Sequence, residues 1–389
     1  MKQILPLFSE TGLYRNDNGS LAVDLAARAV FAFLLLTGYE GENKDAMAEM
    51  LEKSADYTLA ALSVNGEIPF GGCRNQMLEN EGWYAALCEY YLTVLPADDS
   101  RCAQFADTRN QALGFTENWL SKPYFRHVKN FYPVDSLYGT EESMKFERGM
   151  TLALLSFSVA SVLSVDEDIE AKPRGTYIAE TDPTVHKIFL NNGTFFAEYD
   201  VNANFKYDAN GLGRVHHKEA HPSIAISAPC TVKPDFGVNL NAYYPLTICP
   251  VVEDDEGFHF GAEEGTKYEI IDKKSDGNAQ LTLRSTLATG DSFKETLTLG
   301  DTEVVYQVRG NSTVMVAIPV FETDGSDFTE IDPKDYSVSV QYQGWKCTYE
   351  ADGELIDGMI ENCNRNGHYR LFMAAGYRKV TVRIRFEKV

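Results

Sequence analysis

The segment FRHVKNFYPVDSLYGTEE, residues 125–142, separates a first part of the chain with helical periodicity from a second part with strand-like alternation. Pro133 removes a backbone donor and Gly139 loosens the backbone, which predicts a long ordered loop that opens into a helix near Glu141. The segment combines aromatic rings with basic and acidic side chains. Long loops of this composition often carry functional sites, so we expect one here.

The first part of the chain has apolar residues at helical spacing. Ser20 is placed to cap the first helix and Gly38 to end it. The pattern predicts five helices, over about residues 21–37, 44–62, 76–95, 100–120 and 141–163. Because the connections are short, we expect a domain over 1–168 built from antiparallel helix pairs.

From Pro173 onward the chain alternates polar and apolar residues between Gly, Asn and Asp turns. Asn192-Gly193 is a strong hairpin signal, and YRKVTVRIRFEKV at the C-terminus places apolar residues on one face. No long helix is predicted after this point. The fold class expected is therefore α+β and multidomain, with a helical domain followed by a large antiparallel β-sandwich over 174–389.

The formal net charge is −22 over 389 residues, which argues against nucleic acid and anionic membranes as partners because both are bound through basic faces. Two runs without an acid, Lys122–Lys129 and Arg214–Lys218, nevertheless supply local positive charge for an anionic ligand. Chance clustering of solvated charge is the alternative. The sequence leaves a homo-oligomer open.

The seven cysteines form no CxxC pair and have no histidine at metal-ligand spacing, so we expect neither a zinc site nor a disulfide framework. The apolar runs are too short for a signal peptide core or a membrane span. A reduced, cytoplasmic protein is the expectation for this chain, or a secreted or periplasmic one if a leader was removed.

The loop GGCRNQMLENE, residues 71–81, leads into the third predicted helix. Arg74, Asn75 and Gln76, with backbone donors at a helix start, could hold a carboxylate or stabilise an enolate-like charge. Plain helix capping by Asn75, followed by Glu79, is the alternative.

A second group of candidates lies in GLGRVHHKEAHPSIAIS, which is predicted to precede an alternating strand. Arg214, His216, His217 and His221 suit carboxylate binding and proton transfer near neutral pH. An exposed polar hairpin is the alternative. In the opening segment, Tyr132 and Tyr138 are candidate proton-transfer phenols, or packed aromatic residues.

The order of these motifs resembles the heparinase II/III-like and alginate-lyase-like toroid polysaccharide lyases. Asn75 matches the Asn of that group's helix loop, Tyr138 in LYGTEES its Tyr, and His216 in RVHHKEAHPSIAIS its sandwich His. The resemblance implies an incomplete (α/α) toroid before the sandwich, since fewer helices are predicted than a closed toroid has. Gln76 stands where the family has a His, and His127 could replace that group in space.

The resemblance also implies β-elimination of a uronic-acid-containing poly- or oligosaccharide, without a required metal or cofactor. In that reaction a substrate carboxylate is neutralised and a proton moves from the adjacent carbon to a base. The implied catalytic residues are Asn75, His127, Tyr138 and His216. The implied substrate-binding residues are Arg74, Gln76, Glu79, Arg126, Tyr132, Arg214 and His217.

Two alternatives remain open from the sequence. The IPFGG loop resembles helical-toroid glucuronidases, and a hydrolase of that kind needs two carboxylic acids. Its candidates are Glu79, Glu81, Glu141 and Glu142. A catalytically degenerate glycan-binding homologue is the third reading.

Overall fold

The computed structural model describes residues 5–16, 19–121, 129, 152–153, 155–156, 159–160, 169–183, 185–232 and 244–389. The chain divides into two units. The helical unit comprises 1–130, 141–174 and 181–185, and the sheet unit comprises 131–140, 175–180 and 186–389.

The described part of the helical unit contains α1 Leu21–Leu36, α2 Lys44–Lys53, α3 Ala55–Ala61, α4 Glu79–Val94 and α5 Arg101–Leu120. As predicted, Ser20 caps α1, because its hydroxyl accepts the backbone N–H of Val23 at 3.3 Å. Apolar faces of the five helices share one core cluster, in which Tyr91 stacks on Phe105 at 4.5 Å between ring centroids.

Two helix predictions need correction. The helix expected over 44–62 is broken at Ser54, whose buried hydroxyl donates to the carbonyl of Leu51 at 3.0 Å and so competes with the helical ladder. The helix expected from Gln76 begins at Glu79. Most of the helix predicted over 141–163 lies outside the described residues.

The strands of the sheet unit are β1 Tyr177–Glu180, β2 Lys187–Asn191, β3 Phe195–Asp200, β4 Gly211–His217, β5 Cys249–Asp254, β6 Gly257–Phe260, β7 Lys267–Lys274, β8 Ala279–Thr286, β9 Ser292–Leu299, β10 Glu303–Thr323, β11 Glu330–Lys334, β12 Ser337–Tyr342, β13 Trp345–Ala351, β14 Glu354–Asn364 and β15 Gly367–Lys388. Strands β1 to β4 form a four-stranded sheet in chain order, and the others form an eleven-stranded sheet. The pairs are antiparallel, and the predicted Asn192-Gly193 hairpin joins β2 to β3.

One hydrophobic core receives side chains from both sheets. Alternate residues of β3, such as Phe195 and Tyr199, belong to it together with Val304 of β10 and Ile384 of β15. Each apolar side chain of this size contributes about 1.5–3 kcal/mol on burial. The α+β class with large antiparallel sheets is thus confirmed, whereas the toroid stays a prediction.

None of the described helices is long and apolar enough to cross a bilayer.

Candidate functional site

The loop between α3 and α4 is held by side-chain amides. Asn75, which is 1% exposed, donates from Nδ2 to the carbonyl of Pro69 at 2.6 Å. Asn80 Nδ2 lies 3.0 Å from the carbonyl oxygen of Arg74 and 3.2 Å from that of Asn75. The residue that caps α4 is Leu78, which makes no side-chain cap. The capping alternative for Asn75 is therefore wrong, since its amide serves the loop.

Arg74 lies at the outer side of this loop. Its side chain is 52% exposed, and its Nη2 lies 3.4 Å from Oε1 of Glu79. Its backbone has φ of +63°, a left-handed conformation that costs a non-glycine residue on the order of 1 kcal/mol. Such strain persists where surrounding structure fixes it, and it concentrates at functional sites.

Glu79, at the first position of α4, is a buried carboxyl group with an incomplete set of partners. Its Oε2 is buried and has no hydrogen-bond partner among the described residues. Burial raises the pKa of Glu79, although a backbone hydrogen bond and the charges of Arg74 and Lys129 oppose the rise. Glu79 is thus a carboxyl group suited to exchange a proton nearer neutral pH than an exposed glutamate does.

Lys129 is buried beside two further acids. Its Nζ lies 2.7 Å from Oε1 of Glu81 and 3.8 Å from Oε1 of Glu67, and all three side chains are at most 4% exposed. The backbone N–H of Lys129 donates to the carbonyl of Gln76 at 2.6 Å. Burial raises the pKa of Glu81, with the charge of Lys129 opposing it and that of Glu67 adding to it. Glu67, Glu79, Glu81 and Lys129 are called the acid cluster below.

The sheet unit has its own buried charges on one face of β2, β3 and β4. Lys187 Nζ lies 3.1 Å from Glu198 Oε1 and 2.5 Å from Asp200 Oδ2. Arg214 Nη1 lies 3.3 Å from Glu198 Oε2, and His186 Nδ1 lies 2.7 Å from Asp200 Oδ1. Burial alone would raise the pKa of Asp200, but the charges of Lys187 and His186 lower it. These five residues are called the sheet cluster.

The exposed-hairpin reading of residues 214–221 is wrong for Arg214 and His216. Both lie within β4 and are at most 1% exposed, and His216 Nε2 is 2.9 Å from Ser227 Oγ. The expectation that a strand follows these residues is wrong, because Gly211–His217 forms β4 itself and the residues after it, including His221, form turns. In the pairing of β3 with β4, Arg214 is the register partner of Glu198.

His217 does not join Arg214 and His216, because successive side chains of a strand point to opposite faces. Its ring lies 4.9–5.4 Å from the rings of Phe195, Trp345 and Phe386. Burial lowers the pKa of His217, with the charge of Glu219 opposing and that of Lys218 adding to the effect. The neutral ring is thus favoured in this aromatic setting.

The predicted residues Arg126, His127, Tyr132 and Tyr138 lie outside the described residues. Of the others, the structure brings Arg74 into contact with Glu79 and places Arg214 and His216 on one face of β4. The buried lysines Lys129 and Lys187 were missed. The alternation of polar and apolar residues around Lys187 is the one sequence signal that could have indicated a buried strand face there.

Among the described residues, no group of three His, Cys, Asp or Glu side chains is arranged to hold a metal ion. All seven cysteines are free thiols.

No family model and no curated protein matches the chain. Solved structures to which it is similar are polysaccharide lyases, the group that the sequence resembles. They include heparinase III (12% identity, TM-score 0.44, 99% of this chain and 63% of that one), a mutant heparan sulfate lyase from Pedobacter heparinus (9%, 0.41, 100% and 62%) and a Paenibacillus xanthan lyase (9%, 0.46, 96% and 39%). The chain thus spans less than two thirds of their length.

Proposed function

We propose that this protein is a carbohydrate-active enzyme that cleaves uronic-acid-containing poly- or oligosaccharides by β-elimination. The observation that carries the proposal is the pair Arg74 and Glu79, an exposed guanidinium above a buried carboxyl group with a raised pKa. Elimination next to a carboxylate needs a cation to stabilise the developing charge and a group that exchanges a proton. The pair supplies one of each.

In this mechanism Arg74 binds the substrate carboxylate. A guanidinium suits that role because it can donate two parallel hydrogen bonds to a carboxylate. Its 3.4 Å contact with Glu79 is long for a hydrogen bond and its side chain is half exposed, so turning toward a substrate sacrifices little. That movement also uncovers Glu79, which accepts the proton from the carbon beside the substrate carboxylate.

The remaining proton carriers are those predicted from the sequence motifs. We propose Tyr138 as the acid that protonates the departing oxygen, with His127 or His216 as the second carrier, in a protein whose helical part is an incomplete toroid. Asn75 takes a structural part in this scheme, because its amide holds the loop that presents Arg74.

A hydrolase of the glucuronidase type is the second candidate, since a carboxyl group with a raised pKa is also what an acid catalyst requires. Hydrolysis needs a second carboxyl group beside the scissile bond. The nearest one in sequence, Glu81, is fully buried and bound to Lys129. Because Glu81 is paired with Lys129, this favours elimination over hydrolysis by a Glu79–Glu81 pair.

The test is incubation with hyaluronan, heparin, alginate and pectic substrates while the ultraviolet absorbance of an unsaturated uronate is recorded. We expect a rise with one of these glycans. Saturated uronate without that absorbance would support the hydrolase, and glycan binding without product would support the degenerate homologue.

Arg74→Ala tests the carboxylate site. Loss of a hydrogen bond to a charged group costs about 1.5–3 kcal/mol, so kcat/KM should fall roughly 10–100-fold. Arg378→Ala is the matched control, because Arg378 is also an exposed arginine with a left-handed backbone, at φ of +62°. Equal rates for the two variants would remove Arg74 from the site.

A further inference from the structure

Lys129 joins three parts of the helical unit. Its backbone N–H holds the carbonyl of Gln76 in the loop before α4, and its Nζ holds Glu81 in the first turn of α4. The same ammonium lies 5.8 Å from the ring centroid of Phe115 on α5. Lys129, which is distant in sequence from the loop, therefore contacts both the loop and the helix that carry Arg74 and Glu79.

The contacts of Glu81 indicate its charge. One oxygen, Oε1, accepts both the backbone N–H of Ile68 at 3.1 Å and the ammonium of Lys129 at 2.7 Å. Two donors on one oxygen favour the ionised form of a carboxyl group. A buried ammonium also needs a charged partner, because an uncompensated buried charge costs several kcal/mol. The contacts with Lys129 and Ile68 therefore favour the carboxylate form of Glu81, against the burial that raises its pKa.

Glu79 lacks a comparable close contact with a described cation that would favour its carboxylate form. It lies two residues before Glu81, and side chains two positions apart on a helix do not face each other. Its single contact with a described cation is the long one to the exposed Arg74, and its Oε2 has no partner among the described residues. Oε2 of Glu81 also lacks a partner among the described residues, so the two acids differ at Oε1, which accepts a buried ammonium in Glu81 and has only the long contact with a cation in Glu79.

We propose that Lys129 is a positioning residue of the Arg74–Glu79 site, which keeps Glu81 as a carboxylate and fixes the Gln76 loop so that Glu79 is the group that exchanges the proton. This inference rests on the proposed function for its catalytic meaning. The electrostatic part of the inference, the effect of Lys129 on the two glutamates, rests on the geometry of the acid cluster alone.

The test is a titration of Glu79 by NMR, in protein with ¹³C at the glutamate carboxyl carbons, where Glu79→Gln identifies the signal. Among the described residues, Arg74 and Lys129 act on the pKa of Glu79, and Lys129 and Glu67 act on that of Glu81, two positions along α4. Lys129→Met removes a cation, so the midpoint of Glu79 should move to higher pH. Glu81→Gln leaves the ammonium without its main partner, so the midpoint should move to lower pH.

Shifts of opposite sign cannot come from a general loosening of the fold, and they are the result expected. Lys129→Arg keeps the charge and should keep the midpoint. Lys187→Met is the matched control, because it removes an equally buried lysine between two carboxylates in the other unit and should leave Glu79 unchanged.

Unchanged midpoints, or shifts of the same sign in both variants, would overturn the inference. If Lys129→Met does not fold, Glu81→Gln decides alone, and a midpoint that stays or rises contradicts the proposal. The titration needs no turnover. Opposite shifts in a protein that makes no unsaturated product would therefore refute the proposed function alone, whereas product without the shifts would refute the role of Lys129 alone.

Discussion

Each unit contains a fully buried lysine between two carboxylates, but the pKa of Asp200 is lowered in the sheet unit and the pKa of Glu81 is raised in the helical unit. In the sheet cluster Lys187, Arg214 and His186 face Glu198 and Asp200, with Asp208 close enough to Lys187 to act on its pKa. In the acid cluster, as far as the structure describes it, the buried Lys129 pairs with Glu67 and Glu81, and the exposed Arg74 lies beside Glu79.

The balance of charge decides what each cluster can do. Cations lower the pKa of Asp200, although its burial alone would raise it, so the acid is held as a stable ion. Burial raises the pKa of Glu79 and Glu81, and the described cations Arg74 and Lys129 oppose this rise without cancelling it. The sheet cluster joins β2, β3 and β4 through ion pairs around an acid with a lowered pKa, whereas the acid cluster contains carboxyl groups with raised pKa, which bind a proton more readily.

The largest effect is expected from Lys187→Met. Removing one partner of a buried ion pair leaves an uncompensated charge and costs about 3–5 kcal/mol, which denaturant unfolding will measure as a lower free energy of unfolding. Lys273→Met is the control, since its pair with Glu180 at 2.6 Å is 39–47% exposed and should cost less than about 1 kcal/mol. Similar losses for both variants would show that the sheet cluster is not the tie we describe.

Lys129→Met should cost less than Lys187→Met, about 1–3 kcal/mol. The reason is that Glu81 keeps the backbone N–H of Ile68 as a donor when the ammonium is removed, and its raised pKa allows protonation as the pH falls. The loss should shrink further as the pH is lowered from 7 toward 5, because protonation becomes easier. A loss equal to that of Lys187→Met at every pH would break the contrast between the clusters.

Glu79→Gln should stabilise the protein at neutral pH, by roughly 1 kcal/mol, which is the scale for one buried polar group. Because the folded-state pKa of Glu79 lies above its usual 4.5, its contribution is fully present below pH 4.5 and is lost as the pH rises through the folded-state value. The gain should therefore vanish in acid. Glu198→Gln in the sheet cluster should instead destabilise, and a loss in both variants would contradict the comparison.

The smallest effect concerns the backbone of Arg74. Arg74→Gly and Arg378→Gly should each raise the free energy of unfolding by up to about 1 kcal/mol, because glycine adopts positive φ without strain while its more flexible unfolded chain offsets part of the gain. Only Arg74→Gly should reduce turnover. A large loss of stability from Arg74→Gly would mean that the side chain, and not the backbone, holds the loop.

Local patterns predicted much of the fold. The alternation at the C-terminus predicted the buried row of Val380, Val382 and Ile384, and Asn192-Gly193 predicted the β2–β3 hairpin. Capping chemistry placed the start of α1 at the observed residue. These features depend on residues that are close together in sequence, and for that reason they could be predicted from the sequence.

The acid cluster could not be predicted in this way. The contact between Lys129 and Glu81 spans 48 positions, and a lysine in a basic run has the same local pattern whether it is solvated or covered. Asn75 had the composition of a helix cap, but its amide went to Pro69. Competition among long-range partners decides such cases, and the chain before folding carries no local record of it.

The most direct test of the central claim is the turnover of Glu79→Gln beside the wild-type protein on the glycan that gives the strongest ultraviolet signal. We expect the wild type to form unsaturated uronate and Glu79→Gln to lose that activity while its free energy of unfolding stays equal or rises. A stable Glu79→Gln variant with wild-type turnover would contradict the claim that Glu79, at the start of α4, belongs to the active site.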